Sequence, residues 1–148
     1  MDTLIKSDDV LSLAYTADGR VTNLKITKVD IAAAEGQFLL PIIGEELYKS
    51  LMQGNYPTLL QEYVAPQVAA WTRYIVEPIM VERCGYESSS AYNEVRKVIY
   101  RRLRGIARSL SRQLSNYLNA HCDEFPEYNP VDNPLNHCSI DGDVVQIF

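Results

Sequence analysis

A chain of 148 residues suffices for one domain with a real core, and 47% hydrophobic with 22% charged residues is the makeup of an ordinary soluble globular protein. A net charge of −5 argues against a general nucleic-acid binder while leaving room for a local basic track. Three cysteines, no apolar leader in the first ten residues and no run of eighteen apolar residues predict an unexported chain with reduced thiols and no membrane span.

Residues 2–27 differ in character from the rest of the chain. Val10–Tyr15 and Arg20–Ile26 flank Asp18-Gly19, and Asp-Gly between partly alternating apolar segments predicts a β-hairpin, since both turn residues tolerate positive φ. Such a hairpin needs a surface: either its own domain or, as an arm, a neighbouring subunit. Helical periodicity begins near Thr27, with Ile31, Ala34 and Phe38 on one face, and Pro41 is expected to stop or kink it. Gly44-Glu45-Glu46 opens a second short helix whose apolar face is Leu47, Leu51 and Met52 and which Gly54 ends. Pro57 starts the next helix, where Leu60, Val64, Val68, Trp71, Ile75 and Ile79 step by three or four, with a break predicted near Ala65 and a kink near Glu77.

The dominant stretch is 90–119. Val95, Ile99, Leu103, Ile106, Leu110, Leu114 and Tyr117 form a continuous apolar stripe, a core assignment. Lys97, Arg101, Arg104, Arg108 and Arg112 recur on the other side. From Glu94 to Arg112 the segment carries +6, which leaves −11 for the rest of the chain. This arginine face reads in two ways: a solvated face or half of a charge-complementary subunit contact, or a track for DNA phosphates that reads no bases. Only Tyr100 interleaves it with an aromatic, so stacking on single strands is not indicated.

After Asn119 the chain turns rich in Pro, Asn and Asp and reads as an extended surface loop; six acids and no Lys or Arg follow Arg112. It closes on Val144, Val145, Ile147 and Phe148, a terminal strand or second Asp-Gly hairpin. That strand either pairs with the amino-terminal hairpin or adds to a partner's sheet edge.

Catalytic patterns are lacking. No nucleophile elbow or phosphate-binding glycine loop occurs, and the Asp8-Asp9 and Glu45-Glu46 pairs sit where helix starts and solvation explain them, so neither an enzyme nor a cofactor is expected. His121-Cys122 and His137-Cys138 are four zinc-type ligands. Neighbours in an extended segment point to opposite sides, and metal ligands usually stand two to four residues apart, so two thiols and two surface imidazoles without metal are the expected reading, and a zinc-stabilised interaction module is the third and weakest alternative.

The segments AAAEGQFLLPIIGEELYKSL, VEPIMVERCGY and YLNAHCDEFPEYNP resemble, across roughly 26–130, the head–tail connector (adaptor or head-completion) proteins of tailed phages. That resemblance implies a helical bundle assembling into a ring, commonly a dodecamer, beneath the portal. Arms or tails would reach portal, neighbour or next ring, and DNA would pass through the centre. The two β-like termini and the His-Cys pairs have no counterpart in the resemblance, and no individual residue role carries over.

The sequence therefore predicts a mainly α protein: a bundle of about four helices with short β-hairpin or strand arms at both termini. Its divisions are a β arm at 1–27, a helical core at 28–120 and an acidic extended tail with a terminal strand at 121–148. Its expected function is that of a structural virion protein, a connector joining portal to tail around the DNA channel. The expected partners are copies of itself, the portal protein, the tail or next neck protein, and non-specific DNA. It would assemble in the host cytoplasm. The alternative is a DNA-binding or packaging-accessory protein using the basic face of 90–119.

Overall fold

In a computed structural model, which describes residues 2–15, 26–79, 90–141 and 144–147 (90–93, 138–141 and 144–147 as backbone alone), the chain is mainly helical. Helix α1 (Ser7–Ala14) is followed by α2 (Lys28–Ala34), α3 (Leu40–Met52), α4 (Pro57–Leu59), α5 (Ala65–Val76) and the long α6 (Ser90–Ala120). The predicted strand at Val10–Tyr15 is instead α1. Asp8 and Asp9 sit in its first turn, the Asp9 carboxylate accepts from the Lys6 N–H at 2.9 Å, and Val10 and Tyr15 are buried. The alternation of Leu11, Leu13 and Tyr15 misled because acids at a helix start and a core-facing Val10 decide the local conformation. Its C-terminal carbonyl is held by α5: Arg73 Nη1 donates to Ala14 O at 2.6 Å, and the guanidinium lies 4.5 Å from the centre of the Tyr15 ring. The Asp18-Gly19 turn lies outside the described residues.

Thr27 caps α2 reciprocally with Asp30: Thr27 Oγ1 accepts from the Asp30 N–H at 3.3 Å while Asp30 accepts from the Thr27 N–H at 2.9 Å. Pro41 does not stop the helix. A five-residue π turn at Glu35–Leu39 precedes it, and a second, Leu60–Val64, precedes Pro66. Widening the turn just ahead of a residue without an N–H lets the helix continue through both prolines. The break comes at Gly44, whose φ of 81° and ψ of 163° are open to glycine almost alone, and the chain resumes as helix at the Glu45-Glu46 pair. Beyond Val76 the helix tightens into a 3-10 turn at Glu77–Ile79, where Pro78 forbids a regular turn.

The core is built around α5, which packs against α1, α2 and α6. Ile31, Leu39, Ile43, Leu47, Leu59, Val64, Val68, Leu114 and Leu118 are almost wholly buried. On α6 the predicted stripe holds only in part. Leu103 and Leu114 are buried, whereas Val95 is 55% and Ile106 46% exposed, with Ile99 at 36%. The inward line is Leu103, Ala107, Ser111, Leu114, Ser115 and Leu118, small or hydroxylated in its middle because α5 lies close there.

Residues 121–137 are not an extended tether. Three 3-10 turns, Cys122–Glu124, Pro130–Asp132 and Pro134–Asn136, fold them back on the helices, with Phe125, Tyr128 and Asn133 buried. Asn133 Nδ2 donates to Ser115 Oγ at 2.8 Å and to Tyr128 Oη at 2.9 Å, and Glu127 accepts from Tyr56 Oη at 2.9 Å and Ser50 Oγ at 3.2 Å. Composition read these residues as loop; their amides and phenols supply the hydrogen bonds that allow burial. At the end, Cys138–Asp141 pairs antiparallel with Val144–Ile147, Ile140 opposite Val145, as a two-stranded ribbon.

Candidate functional site: an arginine-walled aromatic cleft

A cleft of about 660 Å³ has α6 as one wall and the π turn Glu35–Leu39, α3 and α5 opposite. Arg104, Arg108 and Arg112 stand at four-residue intervals along α6, about 6 Å apart along its axis. All three are exposed, and among the described residues none is ion-paired or hydrogen-bonded. Across from them the Phe38 and Trp71 rings stack face to face, 3.7 Å between centroids and 3° from parallel, with Tyr74 set edge-on to both. Tyr74 in turn stacks on Tyr100 at 4.4 Å, and the Tyr100 hydroxyl, hydrogen-bonded to Tyr74, has its pKa pushed up to about 12.

Ser111 forms the floor. Its Oγ accepts from Trp71 Nε1 at 2.8 Å and from Gln67 Nε2 at 3.1 Å, and the same Gln67 amide donates to Phe38 O at 3.1 Å. This buried set locks the aromatic wall to α6. Pro134 and Leu135 of the folded-back tail close one end. Among the described residues no carboxylate lines the cleft.

The five predicted cations divide. Arg104, Arg108 and Arg112 converge on the cleft. Lys97 pairs with Glu94 at 3.3 Å on the exposed surface and, with Arg96 and Tyr100, borders a separate hollow beside Glu77 and Pro78. Arg101 is exposed and outside both. Sequence reasoning missed Phe38, Trp71 and Tyr74: they reach the arginines from other helices, where periodicity marks them only as core. The spacing of aromatics along α6 could not reveal a cleft whose second wall is elsewhere in the chain.

The other candidates disperse. His121 Nδ1 is 2.9 Å from Tyr117 O, Cys122 Sγ donates to Asn119 O at 3.1 Å, and His137 Nε2 is 2.6 Å from Val131 O. Among the described residues no three of His, Cys, Asp and Glu gather at metal-binding distance. Val144, Val145 and Ile147 lie on the second ribbon strand, and Phe148 is outside the described residues, as is the Cys138 side chain. Among the described residues no helix is long and apolar enough to cross a membrane.

Residues 81–136 are similar to a family described as a family of unknown function (DUF6712), a stretch that contains α6 and the folded-back tail. No curated protein and no solved structure matches the chain.

Proposed function

We propose that this chain is a non-enzymatic structural protein of a phage virion, a ring-forming head–tail connector that joins portal to tail and surrounds the DNA channel. The observation that carries the reading is the character of the arginine-walled cleft. It offers an aromatic wall and three guanidinium groups with no partner among the described residues; its described lining holds no carboxylate pair or metal cluster, and its one serine, Ser111, is engaged by Trp71 and Gln67 with no base beside it. That is a surface for holding a charged partner. The resemblance of the helical segments to connectors supplies the context, and portal, tail or neck protein, and further copies of the chain are its partners. The β-ribbon at 138–147 is the element suited to reach a partner, by adding a strand to a sheet edge.

The test is assembly. Purified chain mixed with the portal protein of its own phage should co-sediment as a ring-shaped complex. A chain that stays monomeric and ignores that portal would sink the reading.

A second reading rests on the same arginines. Exposed guanidinium groups about 6 Å apart on a rigid helix suit a duplex backbone, as in a DNA-binding or packaging-accessory protein. It predicts duplex affinity in the isolated chain that falls with salt, with a slope reduced by about one for each arginine neutralised. Equal affinity after neutralising all three would remove it.

A further inference from the structure

The arginine cleft has a counterpart of opposite sign beside it. A smaller groove of about 250 Å³ is lined by Glu45, Glu46, Glu127 and Asp132, with no Lys or Arg among its described lining residues. Ile42 belongs to the walls of both. The folded-back tail makes the same ridge: Asp132 faces the groove, while Pro134 and Leu135, two and three residues on, face the cleft. Val131, on this ridge, is 71% exposed. Basic cleft, apolar ridge and acidic groove therefore lie side by side.

From this juxtaposition we propose that a second copy of this chain docks across the ridge, related by a two-fold axis. The acidic groove of each copy then covers the arginine cleft of the other. A two-fold contact is self-complementary: each patch meets its opposite on the partner, and both charged contacts form at once. Neighbours in a cyclic ring instead meet through two different patches on opposite flanks. Patches that share a wall are placed for a pair, so this contact is additional to the ring reading.

Energetics favour the same occupant. Glu45 and Glu46 are exposed and, like the three arginines, have no ion-pair or hydrogen-bond partner among the described residues. Opposed charges steer the encounter and fix its register, while like charges brought together oppose it. The exposed Val131 pair supplies apolar area at the seam, where desolvation gives more than rim charges do.

Charge reversal tests this in the full chain. Variant one carries Arg104→Glu, Arg108→Glu and Arg112→Glu; variant two carries Glu45→Lys and Glu46→Lys. All five positions are exposed, and circular dichroism checks that both variants fold. Analytical ultracentrifugation should find the unaltered chain dimeric at low salt and weaker at high salt. Each variant alone should self-associate at least about 100-fold more weakly. Mixed one to one, they should form a heterodimer within about tenfold of the original affinity, because one contact keeps its original signs and the other is restored with its signs exchanged.

A chain monomeric at every concentration, or a dimer indifferent to either reversal, overturns the proposal. So does a mixture that fails to restore pairing. Charge-dependent species larger than a dimer would also overturn the two-fold contact while leaving the ring reading standing. A charge-dependent dimer that never assembles with its portal would do the reverse.

Discussion

Ser111 Oγ accepts the Trp71 indole N–H at 2.8 Å, and through that bond the aromatic wall of the cleft is fixed to the helix that carries the arginines. Replacing Ser111 with Ala leaves two buried donors, the indole N–H and one Gln67 N–H, without their acceptor. Each costs about 1–3 kcal/mol when unsatisfied. The expected result is a loss of about 2 kcal/mol or more in denaturant unfolding, with a changed emission of Trp71, the chain's single tryptophan. A variant of unchanged stability would mean that the Ser111 contacts contribute little.

Glu35 gives the fold a pH dependence. Its side chain is 2% exposed and accepts from the Leu4 N–H and the Tyr48 hydroxyl, both at 2.7 Å. Burial is the dominant influence and raises its pKa, with the hydrogen bonds opposing. The folded state therefore holds its proton more tightly than the unfolded chain. Its contribution to stability is fully present below the ordinary carboxylate range and is lost as pH rises through the raised folded-state value. Glu35→Gln keeps an acceptor and removes the charge. Its melting temperature relative to the unaltered protein should climb as pH rises above the ordinary carboxylate range, through the raised folded-state value. A difference that stays flat over that interval would contradict the assignment.

Two glycines should respond in opposite directions. A methyl group at either Gly36 or Gly44 meets nothing within 4 Å, so sterics do not separate them. Backbone geometry does. Gly44→Ala is strained at φ +81° and should cost about 1–3 kcal/mol. Gly36 sits in a helical stretch, where Ala should stabilise by roughly 0.5–1 kcal/mol. Chemical denaturation of the two variants reads both signs.

Asn133, wholly buried, ties the tail to α6. Besides its two donated bonds, its Oδ1 accepts from the Leu135 N–H at 3.0 Å. Asn133→Ala should release the segment around 128–137 before the helices unfold, losing about 2 kcal/mol locally. Hydrogen exchange should show that release as lost protection confined to the tail; uniform loss over the whole chain would mean the tail has no separate stability.

How much of this was legible depends on which residues carried the message. Thr27 with Asp30, Gly44, Pro57 and the 3.6-residue periodicity are local signals, and the helices they predict are present. The arginine series was equally plain. What escaped were properties set by contact between distant segments. Val95 and Ile106 match the stripe as well as Leu114 does, yet burial needs a facing surface; at the start of α6 the described contacts to the preceding rod are made by Arg96, donating to Glu77 O at 2.8 Å, and by Tyr100, stacked on Tyr74, while Val95 stays exposed. Ser111 and Ser115 look polar in sequence and are buried because Trp71, Gln67 and Asn133 meet them. The cleft was half visible: its arginines lie along one helix, its aromatics do not.

The two π turns have a consequence for how this surface could change. Each holds one residue more per turn than an α-helix needs and ends two residues before a proline. Deleting a single residue from Glu35–Leu39 would regularise the helix but turn the next residues, up to the Gly44 break, by about 100°. Ile42, the shared wall between basic and acidic hollows, would swing off its seat. The same deletion in Leu60–Val64 would rotate Trp71 and Gln67 away from Ser111. The paired turns thus work as phase settings: each adjusts the angular position of one rod against the others, and the alignment of Phe38 with Trp71 requires both.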